Sequence, residues 1–148
     1  MSKFIDLLEK YQATTHVVAL NLHNLHWNLE SHIFFTLHPY LGDLYDTVSD
    51  FEDEIAEQIR FLQERPLTTL SEIQNLSFVD DISSQSFSAE AAIKVALADI
   101  QSLYSVAKDV VAEADANNIW AAIEKFSAHL VTLEKVIYFL RSSNFPRG

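Results

Sequence analysis

Apolar residues at Phe4, Leu7, Leu8, Tyr11, Val18, Leu22, Leu25 and Leu29 recur every three or four positions. That is the period of an amphipathic helix and predicts a first one from about residue 3 to 29. A second stripe, Leu37, Leu41, Leu44, Val48, Phe51, Ile55, Ile59 and Leu62, predicts a helix over about residues 34–64 that stops before Pro66. Thr69-Leu70-Ser71-Glu72 has the form of a capping box and should open a short helix over Ile73 to Leu76. After a polar linker, Ser86 or Ser88 caps a further long helix, whose stripe from Ala92 to Val110 carries it to about Asp115. Asn118 caps the last, with Ile119, Ile123, Phe126, Leu130, Leu133, Ile137 and Leu140 on its buried side.

Four long helices, with a short one in the single long connection, describe an all-α four-helix bundle whose second and third long helices are joined by a crossover, the ferritin-like topology. The length of 148 residues and a 49% hydrophobic content suit one domain spanning residues 1–148. Only two glycines and three prolines are present, too few for the turns of an all-β chain.

Charge and cysteine content narrow the chemistry. With 21 acids against 10 bases the net charge is −11, and neither end carries a basic tail, so direct DNA binding is not expected while cations are attracted. The absence of cysteine excludes disulfides, thiolate ligands and thiol nucleophiles, so any metal must sit on nitrogen and oxygen. No signal-peptide pattern and no membrane-length apolar run occurs, which leads to the expectation of a soluble, cytoplasmic protein.

The candidate ligands are two histidines and a run of acids between residues 26 and 59. At 100° per residue, His38, Asp46, Asp53 and Glu57 centre about 150° from the apolar stripe of their helix, so the acids face away from the bundle core. His26 lies at the edge of the first helix's stripe. Di-iron bundles that bind metal inside one chain typically use two Glu-x-x-His motifs, and this sequence contains none. A site built here would be completed by a neighbouring chain, with the outer face of the second helix against its symmetry mate.

His26-Trp27-Asn28, Phe34, Leu37-His38, Asp53 and Ala56-Glu57, with Thr69-Leu70-Ser71-Glu72 and Glu134-Lys135 through Leu140-Arg141, resemble the Dps-type mini-ferritins across nearly the whole chain. The resemblance implies a dodecameric shell with iron-oxidising sites at two-fold interfaces, where one chain gives His26 and His38 and another Asp53 and Glu57. It further implies oxidation of Fe(II) by hydrogen peroxide or dioxygen and storage of ferric mineral, with zinc as a possible substitute metal. Trp27 would donate electrons beside the site.

Two positions depart from the family pattern. An acid is usual sixteen residues after the first histidine, where this chain has Gly42. Asp46, one turn further on, is the replacement expected, and Gly42→Asp is expected to raise the rate of iron oxidation. At the acid-lined three-fold pore the matching residues are Asp115, Trp120 and Glu124, so an indole replaces the middle acid.

Simpler readings stand beside these. His26 and His38 would serve as interface histidines, Trp27 and Trp120 as packing residues, and Asp46, Asp50, Glu52, Asp53, Glu54 and Glu57 as a solvated helix face. His16, His23, His32 and His129 match no motif position. The functional alternatives are a shell without efficient iron oxidation, its site empty or holding zinc, and a small helical oligomer acting as an interaction module.

Overall fold

The computed structural model describes residues 1–143, so the last five residues of the expected domain lie outside it. Its five helices are α1 (Ser2–Asn28), α2 (Phe34–Phe61), α3 (Leu70–Leu76), α4 (Ala89–Ala116) and α5 (Trp120–Ser143). The α1–α2 and α4–α5 hairpins pack together through α1 and α4, and α3 lies against α1. The predicted stripes close into one core, with Phe4, Leu8, Tyr11, Leu41, Ile55, Ile100, Leu103 and Phe126 fully buried. Among the described residues no helix is long and apolar enough to cross a membrane.

Two helix ends differ from the sequence-based expectation for the same reason. α2 ends at Phe61, three residues early, because Gln63 takes a left-handed conformation (φ 66°) and the Glu64 amide donates back to the Ile59 carbonyl. Asn118 (φ 57°) does likewise at the end of α4: its amide donates to the Asp115 carbonyl and that of Ile119 to the Ala114 carbonyl. These are Schellman-type closures, and asparagine tolerates that conformation. Asn118 therefore terminates α4 and does not cap α5. The other caps stand: the Ser88 hydroxyl accepts from the Ala91 amide, and Thr69 and Glu72 form the reciprocal box.

The crossover, residues 62–88, is held by polar side chains of α1. Gln12 exchanges two hydrogen bonds with the Leu67 backbone, at 2.9 and 2.8 Å, and the Thr14 hydroxyl accepts from the Phe78 amide. Asn21 donates to the Asp80 carbonyl and to Asp99 Oδ2, and its own carbonyl oxygen accepts from the Ile82 amide. A short parallel bridge between Leu29 and Phe87 closes the far end. Gln12, Thr14 and Asn21 are buried polar residues with their bonds satisfied, which is the condition for tolerating them inside.

Asp99 carries a cost. Burial raises its pKa to about 6, and only the Asn21 amide opposes that. Below the unfolded value, 3.8, the group is neutral in both states. Above about 6 it is charged in both and the penalty is complete, of the order of 2–3 kcal/mol at 1.36 kcal/mol per unit. Asp99→Asn keeps an oxygen for Asn21 and removes the charge. The variant should melt higher than the parent at pH 7.5, with the difference shrinking as pH falls from 6 towards 4. A difference independent of pH would refute the assignment.

Candidate metal centre

The five-residue α1–α2 turn sets the end of α1 beside the start of α2, bringing His26 and His38 together. Their rings stack with centroids 3.7 Å apart and planes 8° from parallel, and Phe34 covers the other face of His38 at 4.4 Å. Each imidazole donates from Nδ1 to the backbone carbonyl of the other residue, His38 to His26 at 2.7 Å and His26 to His38 in return. A carbonyl can only accept, so both Nδ1 atoms carry hydrogen, and an imidazole with that one hydrogen holds its lone pair on Nε2. That tautomer leaves Nε2 available to a metal and is set by the second bond of each ring.

Asp46, Asp53 and Glu57 are exposed on α2, and none forms an ion pair among the described residues. Fifteen residues of α2 separate His38 from Asp53, about 22 Å at 1.5 Å per residue. Consistent with that separation, no three histidine, aspartate or glutamate side chains converge on a metal-sized site among the described residues. The histidine end and the acid end meet only if a second α2 runs antiparallel to the first, which a two-fold axis generates.

The neighbouring acids behave differently from the expectation of a solvated face. Glu52 accepts from His16 Nδ1 at 3.0 Å, and Glu54 lies 3.4 Å from His129 Nε2. Both are turned onto their own chain, while Asp53 and Glu57 remain unengaged.

Comparison with known proteins agrees with this architecture. The ferritin-like domain model matches residues 5–143. A DNA protection during starvation protein of Brevibacillus brevis is 30% identical, the match covering 92% of this chain and 91% of that protein. The chain belongs to the ferritin-like family, in its Dps branch. A second relative of that printed name, from Helicobacter pylori, is 29% identical over 95% of this chain and 97% of its own length. A crystal structure of a Dps protein from Bacillus brevis superposes with a TM-score of 0.89 at 26% identity, covering 95% and 94% of the two chains. Dps from Staphylococcus aureus gives 0.93 at 23% identity, which speaks for the fold alone.

In this Dps-type ferritin Gly42 is more than a missing acid. A Cβ at that position would stand 2.8 Å from His26 Cε1 and 3.2 Å from its Nδ1. The imidazole occupies the space that a side chain on residue 42 needs. The expectation that Gly42→Asp speeds iron oxidation therefore reverses, because the new side chain displaces the His26 ring, a candidate ligand. Asp46 faces outward beside His23, where its charge opposes the lowering of the His23 pKa by burial and by His26. It does not join the two imidazoles within one chain.

The sequence reading noted His23 only as an i, i+3 neighbour of His26 and gave it no role. Its ring stacks on Tyr45 at 3.3 Å and on Trp27 at 4.2 Å, with His26 6.3 Å away, so Trp27 reaches the histidine pair through His23. The i, i+3 and i, i+4 spacings of His23 to His26 and Trp27 were the available signal. Trp27 is 64% exposed, more than a packing residue of a lone chain would be. At the α4–α5 turn, Asp115, Trp120 and Glu124 are all exposed, and Asp115 lies in the last turn of α4, where the helix dipole disfavours an acid.

Proposed function

We propose that this protein is an iron-oxidising, iron-storing mini-ferritin. A two-fold pair of chains forms each site, with His26 and His38 of one and Asp53 and Glu57 of the other binding Fe(II) as substrate. Hydrogen peroxide or dioxygen accepts the electrons, and twelve chains enclose the ferric product in a shell within the cytoplasm. The observation that carries the reading is the reciprocal Nδ1–carbonyl pair, which leaves both Nε2 atoms free to bind, while Asp53 and Glu57 stand exposed and unpaired on α2.

The roles follow from the chemistry of the donors. Imidazole nitrogen and carboxylate oxygen suit iron, and equally zinc and manganese. The acids lower the charge of the bound ion and favour the ferric product. Trp27, Tyr45 and His23 form a stack that supplies electrons when an oxidant outlasts the available Fe(II). Asp46 adds negative potential beside the histidines, and Asp115 and Glu124 draw cations towards the α4–α5 turn. With a net charge of −11, protection of DNA would come from removing iron and peroxide and not from contact.

Apo-protein mixed with Fe(II) and peroxide should consume both at once, retain the ferric product through gel filtration, and elute as an assembly far larger than one 16.8 kDa chain. Zinc uptake with no iron oxidation would select the alternative, a metal-binding shell without the activity. Elution as a monomer would remove the shared site.

A further inference from the structure

Away from the metal face, the bundle core holds a polar group that none of the preceding chemistry uses. Tyr11 of α1 is fully buried, and its hydroxyl lies 2.8 Å from Nδ1 of His129 on α5, which is 2% exposed. Burial holds the His129 pKa down at about 4, with Lys125 adding to the effect, so the ring is neutral. Burial also raises the Tyr11 pKa. The phenol therefore keeps its proton and donates it to Nδ1, and the ring's remaining N–H lies on Nε2, 3.4 Å from Glu54 Oε1. Phe51 stacks flat on the imidazole at 3.7 Å and Phe126 meets Tyr11 edge-on at 6.0 Å, so neither ring can turn away.

Mutual satisfaction of two buried polar groups accounts for one hydrogen bond. It does not account for the line that continues outward, from phenol to imidazole to a carboxylate that is 44% exposed at its outer end. Glu54 adjoins Asp53 in sequence and stands one turn from Glu57, so the line ends behind the acid half of the proposed metal centre. Lys125, the cation nearest to it, donates to Gln58 Oε1 at 3.3 Å.

We infer that Tyr11 is a redox-active tyrosine, with His129 as the base that takes its proton, placed to quench strong one-electron oxidants. The oxidant class is hydroxyl radical, formed with hydroxide when Fe(II) reduces peroxide to give Fe(III); that origin rests on the proposed function. The radical gains one electron from Tyr11 and becomes hydroxide. The Tyr11 O–H bond breaks, its proton forms a bond to His129 Nδ1, and the products are a neutral tyrosyl radical and an imidazolium facing the Glu54 carboxylate. An electron from a further Fe(II) returns the phenol and leaves Fe(III), as the proton moves back from Nδ1. The phenol gives up no electron readily while it holds its proton, so the hydrogen bond is what makes the oxidation accessible. The surrounding Phe51 and Phe126 exclude water from the radical.

The test separates this inference from the proposed function. The iron-free assembled protein is oxidised by flash-generated tris(bipyridine)ruthenium(III), and the radical is read by electron paramagnetic resonance. Wild type should yield a hydrogen-bonded tyrosyl signal that Tyr11→Phe loses and that His129→Gln reduces several-fold, with helicity and assembly size unchanged. The same signal at full yield in Tyr11→Phe overturns the assignment. In a second arm, Fe(II) and peroxide are added and hydroxyl radical is trapped, normalised to iron oxidised. Tyr11→Phe should release several-fold more trapped radical than wild type, and equal release denies Tyr11 a quenching role. Should wild type oxidise no iron, the proposed function fails, while the ruthenium arm still decides the character of Tyr11.

Discussion

His38→Ala chains and Glu57→Ala chains, each nearly inactive alone, should together recover about one quarter of the wild-type sites when co-assembled in equal amounts. Each variant alone should oxidise Fe(II) at least roughly tenfold more slowly, since even outer partners of a metal ligand are worth that much. The recovery follows from geometry. His38 and the acid pair lie about 22–28 Å apart along one helix, so a site that uses both must draw on two chains. Under random pairing half of the two-fold pairs are mixed, and each mixed pair contains one intact site out of two. If all ligands came from one chain, no mixture could contain an intact site, and rates would stay at the level of the parents. Initial rates of Fe(II) oxidation on chains refolded together distinguish the two outcomes.

Gly42→Ala should weaken the proposed metal centre without a net gain in stability. Glycine inside a helix costs about 1 kcal/mol relative to alanine, a gain that the loss of one hydrogen bond, of similar size, offsets. The new Cβ falls 2.8 Å from His26 Cε1, and the ring can yield only by leaving its bond to the His38 carbonyl and its stack on the His38 ring. Loss of that orientation should lower zinc or Fe(II) affinity by about tenfold, the lower end of what outer-shell partners are worth. Gly42→Asp adds a ligand but displaces another, and it should oxidise iron no faster than wild type. Zinc titration calorimetry on Gly42→Ala and stopped-flow oxidation on Gly42→Asp check the two halves. A faster aspartate variant would show that His26 has room to move without loss.

The parts of the molecule legible in sequence are those governed by local period. The stripes of α1, α2, α4 and α5 place the helices to within a few residues, because few glycines or prolines interrupt them. The misplaced points are Gln63 and Asn118, where a residue other than glycine adopts the left-handed conformation. Asparagine favours both a helix start and a helix stop, so Asn118 was ambiguous by chemistry. The twelve-residue offset of His26 and His38 was readable, but their exchange of Nδ1 bonds depends on the depth of the α1–α2 turn, which no spacing reports. His129 lies three residues after Phe126 and four before Leu133, on the buried side of α5, so its burial was foreseeable. Its partner Tyr11 was not, since the register of α5 against α1 joins residues 118 positions apart.

The side chains that α1 lends to the crossover bear on how the molecule comes into being. Gln12, Thr14 and Asn21 leave the helical hairpin of α1 and α2 with amides and a hydroxyl lone pair turned to water until residues 67–82 arrive. The hydrogen bonds of that hairpin are therefore complete only in the whole chain. During synthesis these bonds can form only once the segment beyond the hairpin has emerged.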